Sequence, residues 1–123
     1  MPPQAPPFRW VDRLLEGDLP RRCVTLKVFS ADEPLLRGMD RVPFSLILEA
    51  LCQGAAFLSP GGSSGQGRIL RMDQAEMTGT VRPGESLRIT STLLEENAAA
   101  MKAESVGEVE GRIVARLLVL VAR

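Results

Sequence analysis

The sequence contains no histidine and no tyrosine, and these absences exclude several classes of active site. Without histidine, the chain's own residues cannot form a Ser-His or Cys-His catalytic pair or a histidine-ligated metal site. Acid–base chemistry must therefore use carboxylates, lysine, cysteine or a residue of another chain. We expect no metal ion and no cofactor.

A surplus of charge is also lacking, since 15 Lys and Arg residues balance 15 Asp and Glu residues. Phosphate backbones bind basic surfaces, so this balance argues against nucleic acid as a partner. The two cysteines, Cys23 and Cys52, have neither the spacing of a zinc site nor that of a disulfide framework. We expect two reduced, packed thiols and a cytoplasmic protein.

Targeting and membrane signals are missing as well. The opening residues MPPQAPPFRW contain no basic segment followed by an apolar one, which a secretory signal requires. The longest apolar run, 42–58, is too short for a membrane span, and Glu49 and Gln53 interrupt it. We expect a soluble protein without membrane contact.

The length of 123 residues suits one domain, and a hydrophobic content of 45% suits a packed core. Residues 1–7 are rich in proline, which predicts a flexible lead. Residues 8–123 then form the single predicted domain.

One helix and several strands are predicted. In RCVTLKVFS, Val24, Leu26 and Val28 alternate with other residues and fall on one face, which predicts a half-buried strand. Pro43 suits the first turn of a helix that continues to the Gly- and Ser-rich segment 59–67. This helix is apolar on most sides, which predicts burial, and its small residues, such as Gly54, permit a close backbone approach.

The residues after the helix have β character. The predicted strands lie in RILRMDQAEMTGTV, SLRITSTLLEE, AAAMKAESV and RIVARLLVLVAR, with a Pro83-Gly84 turn and a short GEVEG connection between them. For AAAMKAESV, whose alanines favour helix, a helix is the alternative. We therefore predict an α+β fold in which about four antiparallel strands meander after the helix and a curved sheet wraps around it. A free edge of the sheet is expected to pair with a second copy.

Glu49 is the only acid in this apolar run, and nothing basic accompanies it between Val42 and Leu58. It either fills a polar gap without chemistry or serves as a buried acid, and Gln53, one turn later, could hydrogen-bond to it.

Three segments resemble the 3-hydroxyacyl-[acyl-carrier-protein] dehydratases of the hot-dog fold. They are PFRWVDRLLEGDLPRRCVTLKVFSADEPLLRG, PFSLILEALCQGAAFL and RMDQAEMTGTVRPGESL, and the resemblance extends from about Phe8 to Ala122. It implies a hot-dog fold and a dehydratase site shared between two subunits, acting on acyl thioesters in fatty-acid or polyketide-type biosynthesis.

The resemblance also implies residue roles. In the family, a histidine after the glycine that matches Gly38 removes the α-proton, and a glutamate that matches Glu49 handles the leaving hydroxyl. A glycine amide at the helix N-terminus polarises the thioester carbonyl. Here the loop reads Gly38-Met39-Asp40-Arg41, and the helix opens with Pro43-Phe44.

The implied catalytic residue is Glu49, and the implied substrate-binding residues are Gly38, Met39, Phe44, Ser45 and Gln53. One general base contributes about 10²–10⁴-fold to a rate, and Met39 cannot supply it. We therefore expect the protein to be catalytically impaired on its own.

Three arginines complete the implied site. Arg37, Arg41 and Arg82 are expected near the mouth of an acyl tunnel, where they could dock an acidic acyl carrier protein; the simpler alternative is a solvated surface.

Three functions remain open. The first is an impaired dehydratase-like homodimer that handles thioesters of acyl carrier protein or CoA. The second is the acid-contributing subunit of a heterodimer with a histidine-bearing paralogue. The third is a hot-dog acyl thioesterase that uses Glu49 alone.

Overall fold

The computed structural model describes residues 13–59 and 68–123, so the proline-rich lead and the glycine-rich segment 60–67 lie outside it. The extent of the predicted domain, 8–123, therefore stays a prediction. The elements, in chain order, are β1 Arg13–Asp18, β2 Arg22–Val28, α1 Phe44–Ala56, β3 Ile69–Met77, β4 Ser86–Glu96, β5 Ala100–Val109 and β6 Arg112–Ala122.

All the strands belong to one antiparallel sheet with the order β1-β2-β4-β5-β6-β3. The longest ladder joins β5 and β6, which are linked by a turn at Glu110 and Gly111. Gly111 has a φ of 81°, a conformation in which glycine has no steric penalty. β1 and β3 form the two edges.

The helix packs against the inner face of this sheet and contacts five of its strands. The core consists of helix residues and of alternate residues on β4, β5 and β6, which include Leu87, Ile89, Met101, Leu117 and Val119. This α+β arrangement of one helix held by a curved antiparallel sheet is the expected hot-dog fold.

Four strands follow the helix, as predicted, and RIVARLLVLVAR lies inside the sheet between two partners. The expected meander is correct only for β4, β5 and β6, because β3 pairs with the last strand, β6. The GEVEG connection was placed too early, since β5 continues to Val109. The strand β1 was missed because its exposed, bulged sequence RLLEGD does not alternate.

The strand β2 is half-buried, as predicted, and small polar side chains form its inner face. Cys23 and Thr25 face the helix: the Cys23 thiol donates to the Gly54 carbonyl at 3.4 Å, and both side chains are fully buried. Val24, Leu26 and Val28 alternate with them along the strand; Val24 is fully buried, whereas Val28 is 40% exposed. The helix approaches so closely at Gly54 that small polar side chains fit beneath it.

Within the described ranges, 13–59 and 68–123, no helix has the length and apolar character needed to cross a bilayer.

Candidate functional site

The helix α1 has two different faces. The inner face lies on the sheet and carries Ile47, Ala50, Leu51, Gly54 and Ala55, all buried. The other half of the helix, here called the open face, carries Phe44, Ser45, Leu48, Glu49, Cys52 and Gln53. Phe44, Ser45 and Glu49 are exposed, whereas Leu48 and Gln53 are partly buried.

Seven of the thirteen helix residues are buried, as expected for an apolar helix. The expectation that Glu49 lies inside the apolar interior is wrong for the chain itself. The Glu49 side chain is exposed. The chain's own sheet covers one side of the helix, and the apolar run in the sequence does not reveal which side a residue occupies. The implied roles of Glu49 and of Phe44, Ser45 and Gln53 stay predictions, but the structure does place these residues on one face.

Cys52 lies beside Glu49 on the open face and is only 6% exposed. Burial, and to a smaller extent the negative charge of Glu49, raise the pKa of the Cys52 thiol from 9.0 to about 11. The thiol is therefore protonated at neutral pH, which makes it a poor nucleophile. Cys52 contributes an apolar, neutral surface next to the carboxylate.

Three buried hydroxyl and thiol groups of the sheet fix the inner face of α1. The Ser105 hydroxyl donates to the Leu51 carbonyl at 2.9 Å and bonds to the Ser91 hydroxyl at 2.7 Å. The Cys23 thiol donates to the carbonyl of Gly54, one turn along. A Cβ on Gly54 would lie 2.9 Å from Ile89 Cγ2, so glycine is needed for this approach.

These contacts hold the C-terminal half of the helix at a fixed height above the sheet, and therefore also hold Glu49 and Gln53. The prediction from sequence noted the small residues of the helix but missed their hydroxyl partners, because the pairing depends on the register of β4 and β5.

The loop before the helix carries Gly38 and Met39. It follows a short 3-10 turn, Pro34–Leu36, and the Met39 amide donates to the Leu36 carbonyl at 3.0 Å. Gly38 has a φ of 79°, which favours glycine, and Met39 is 46% exposed. The substrate-binding role implied for both residues stays a prediction.

The structure brings two of the three implicated arginines together. Arg41 and Arg82 line one groove of about 480 Å³ with Asp40 and Thr80, whereas Arg37 is not part of its lining. Sequence analysis missed Arg112, whose guanidinium donates to the Thr80 carbonyl at 3.4 Å. Nothing in the sequence signals this contact, since Arg112 comes from the start of β6.

The described residues contain no group of three or more Cys, Asp or Glu side chains that could hold a metal ion. The arrangement offers instead one carboxylate on an open helix face and a group of arginines near the start of that helix.

The fold places the chain among the hot-dog-fold proteins, and relatives by sequence define its family. It is 32% identical, over 123 residues, to the 3-hydroxyacyl-[acyl-carrier-protein] dehydratase FabZ of Anaeromyxobacter dehalogenans, an alignment that covers 92% of this chain and 79% of the relative. It is 31% identical to FabZ of Geobacillus thermodenitrificans, with coverage of 91% and 82%. The chain belongs to the FabZ dehydratase family. No family model matches it.

Solved structures agree with the fold. The dehydratase heterocomplex ApeI:P from Xenorhabdus doucetiae superposes with a TM-score of 0.78 at 14% identity, covering 99% of this chain and 87% of that one. The protein smu.793 from Streptococcus mutans UA159, bound to acetyl CoA, gives 0.73 at 11% identity, with coverage of 89% and 85%. At these identities the likeness establishes the fold alone.

Proposed function

We propose that this protein takes part in the dehydration of 3-hydroxyacyl thioesters, in fatty-acid or polyketide-type biosynthesis, and that Glu49 supplies the acid. The observation that carries the proposal is the open face of α1. It holds one carboxylate, the neighbouring amide of Gln53 and no basic residue, beside the uncharged thiol of Cys52.

The open face must be shielded from water before such chemistry can occur. A carboxylic acid transfers its proton effectively at neutral pH when it is removed from water, and Glu49 is exposed on the chain itself. We infer that a second hot-dog chain covers this face. The edge strand β3 supports the inference, because it is exposed along most of its length and carries Leu70 and Met72, which are 45% and 51% exposed.

The dehydration involves two proton transfers, one from an acid and one to a base. The protonated Glu49 gives its proton to the hydroxyl on carbon 3 as the carbon–oxygen bond breaks and water leaves. A base removes a proton from carbon 2, and the electron pair of that bond forms the new double bond. The Phe44 amide lies at the N-terminus of α1, where no side chain caps the helix, and it can polarise the thioester carbonyl.

The base is the group that this chain lacks. By the resemblance, Met39 stands where the family has its histidine, and Asp40 beside it is exposed. Loss of a general base lowers a rate by about 10²–10⁴-fold, so a complex of two copies of this chain is expected to be a poor dehydratase.

A heterodimer is the more specific form of this proposal. The heterocomplex ApeI:P, whose fold this chain shares over 99% of its length, is a dehydratase of two different chains. A histidine-bearing partner would supply the base, and this chain would supply Glu49 to the same site. The carrier of the acyl group is then acyl carrier protein or CoA, and smu.793 is an example of this fold bound to an acyl-CoA.

Because both cysteines are free and buried, we place the protein in the cytoplasm.

The test is co-expression with a histidine-bearing FabZ relative from the same host, followed by assay with a 3-hydroxyacyl thioester. To silence the relative's own sites, its glutamate that matches Glu49 is changed to glutamine. The mixture is expected to form the enoyl thioester, and Glu49→Gln in this chain is expected to lower the rate by about 10²–10⁴-fold. Glu110→Gln, in the exposed β5–β6 turn, is the matched control and should leave the rate unchanged.

Activity that ignores Glu49→Gln contradicts the proposal. Release of free thiol from acyl-CoA, without an enoyl product, identifies a thioesterase instead. Full dehydratase turnover by this chain alone would show that it is not impaired.

A further inference from the structure

Two buried side-chain oxygens, Thr25 Oγ1 and Glu33 Oε1, have no hydrogen-bond partner among residues 13–59 and 68–123. The Thr25 hydroxyl lies at the closest approach of helix and sheet, only 3.1 Å from where a Cβ on Gly54 would be, so little space remains beside it. Glu33 is the more unfavourable case, because a charged group loses more hydration free energy on burial than a hydroxyl does. Its buried oxygen therefore requires a partner that the described residues do not supply.

Glu33 begins the turn that leads to the loop with Gly38 and Met39. Its carbonyl accepts a hydrogen bond from the Leu36 amide at 2.9 Å, and the Leu36 carbonyl accepts one from the Met39 amide at 3.0 Å. Glu33 is the N-cap of the 3-10 turn Pro34–Leu36, but its side chain makes no capping hydrogen bond. The carboxylate is therefore not used for capping, the common role of an acid at the start of a helical turn.

The Glu33 side chain instead lines a cavity of about 20 Å³ between the end of β2, this turn and α1. The other walls include Lys27, Phe29, Leu36 and Leu46. A water molecule needs a cavity of about 10–15 Å³, so there is room for one. The lining residues contribute one carboxylate, which does not suit a calcium ion, because calcium takes about 6–8 oxygen ligands.

Lys27 brings a positive charge to the same cavity. Its ammonium group lies over the ring of Phe29, 5.7 Å from the ring centroid. Phe29 is buried, and its amide donates to the Glu85 carbonyl at 3.0 Å, which fixes the backbone below the ring. An ammonium group has three donors, and a water molecule both accepts and donates, so one water can join the ammonium to a carboxylate.

The loop 37–41 depends on what holds its two ends, because every residue in it is exposed. At the far end, Val42 is buried and its amide donates to the Val81 carbonyl at 2.7 Å. At the near end, Leu36 is buried, and Glu33 lies one turn before it. A link at Glu33 therefore affects how readily the near end of the loop opens.

We propose that one water molecule occupies this cavity, accepts a hydrogen bond from the Lys27 ammonium and donates one to Glu33 Oε1. The water joins β2 to the turn Pro34–Leu36 and thereby fixes where the loop with Gly38 and Met39 begins. A loop that is already in place loses less conformational entropy when it contacts a ligand. This inference goes beyond the proposed function, since it requires neither a second chain nor turnover.

The direct test is a nuclear Overhauser measurement between water and the methyl groups of the full chain. We expect a cross-peak from a long-lived water to the methyl groups of Leu36, which is only 2% exposed. Glu33→Leu removes the acceptor and should abolish the cross-peak. Asp32→Leu is the matched control: it removes the same charge one residue earlier, at an exposed position, and should keep the cross-peak.

Limited trypsin digestion measures the effect on the loop. Arg37 is exposed, and cleavage after it reports local opening of the turn. Glu33→Leu and Lys27→Met should each accelerate this cleavage about tenfold, which corresponds to about 1.4 kcal/mol. Glu33→Gln keeps an oxygen that accepts from water, so it should change the rate by less than about threefold. Asp32→Leu should leave the rate unchanged.

The double variant distinguishes one shared water from two separate contacts. If the water joins the two side chains, Glu33→Leu together with Lys27→Met should be cleaved no faster than either single variant, whereas separate contacts would multiply to about a hundredfold. A hundredfold effect contradicts the proposal. So does a Glu33→Leu variant that is cleaved more slowly than wild type, since this is the result expected from removing a buried charge without a partner.

A missing Leu36 cross-peak in the wild-type protein also contradicts the proposal. Circular dichroism of each variant separates a lost water from a lost fold. None of these measurements involves Glu49 or a thioester, so failure of the dehydratase assay would leave this inference standing, and failure here would leave the proposed function standing.

Discussion

The two faces of α1 have opposite requirements, although they belong to one helix of 13 residues. The inner face carries Gly54 and is covered by the chain's own sheet, from which three polar side chains lie beneath the helix. The open face leaves Phe44, Ser45 and Glu49 in contact with solvent. The chain therefore completes its own core on one side of the helix, and the other side is the one that we propose a second chain covers.

The comparison predicts that equal truncations on the two faces have different consequences. Leu51 is fully buried on the inner face, so Leu51→Ala should lower the free energy of unfolding by about 3 kcal/mol. Leu48 is partly buried on the open face, and Leu48→Ala should lower it by only about 1 kcal/mol in dilute protein.

Urea unfolding at low and at high protein concentration separates these effects. The loss caused by Leu48→Ala is expected to grow as chains associate, because the leucine then loses contacts with a partner as well. The loss caused by Leu51→Ala should not change with concentration. A concentration-independent Leu48→Ala effect would show that this face is not an interface.

A smaller effect is expected from a methyl group added to the inner face. Gly54→Ala gains up to about 1 kcal/mol of helix propensity. The new Cβ would, however, lie 2.9 Å from Ile89 Cγ2 and 3.1 Å from the hydroxyls of Thr25 and Ser91. Overpacking of this kind costs about 1–3 kcal/mol, so thermal unfolding should show a net loss of stability.

Ser45→Ala provides the matched change on the open face. Ser45 lies on the same helix as Gly54 but is exposed. Because substitutions at exposed positions have small effects, Ser45→Ala should change the free energy of unfolding by no more than about 0.5 kcal/mol. If Gly54→Ala instead stabilises the protein, as the same substitution does at an exposed helix position, the helix and the sheet are not in tight contact at Gly54.

The two buried cysteines give an effect that is confined to alkaline pH. Burial raises the pKa of Cys23 and that of Cys52 from 9.0 to about 11. Above pH 9 the unfolded thiols lose their protons while the folded ones keep them, so stability should fall between pH 9 and 11 and be unaffected by these groups below pH 9. Urea midpoints across this range should show a shallower fall in Cys23→Ala and Cys52→Ala than in wild type. An identical slope in all three proteins would contradict this assignment.

Much of the fold could be predicted from the sequence because its signals are local. Alternation in β4, the Pro83-Gly84 turn, and the helix start at Pro43 each depend on neighbouring residues. β1 was missed because an exposed edge strand needs no alternation. The pairing of β3 with β6 has no local signal either, since its partners are far apart in sequence.

The site was less predictable from the sequence because it depends on tertiary contacts, which decide where each side chain lies. Glu49 was expected in the interior, since an apolar run does not distinguish a residue that faces the chain's own sheet from one that faces outward. Arg41 and Arg82 could be singled out as basic residues near the helix start. Arg112 could not, because only the register of β6 brings it to Thr80.

The account depends most on whether a second chain covers Glu49, and carbodiimide labelling with glycinamide, read by mass spectrometry, measures this directly. Glu110, exposed in the β5–β6 turn, is the internal reference. We predict that labelling of Glu49 relative to Glu110 falls at least about tenfold when the chain assembles, with itself or with a histidine-bearing relative, compared with dilute chain. Equal labelling of both residues in every assembled form would contradict the account.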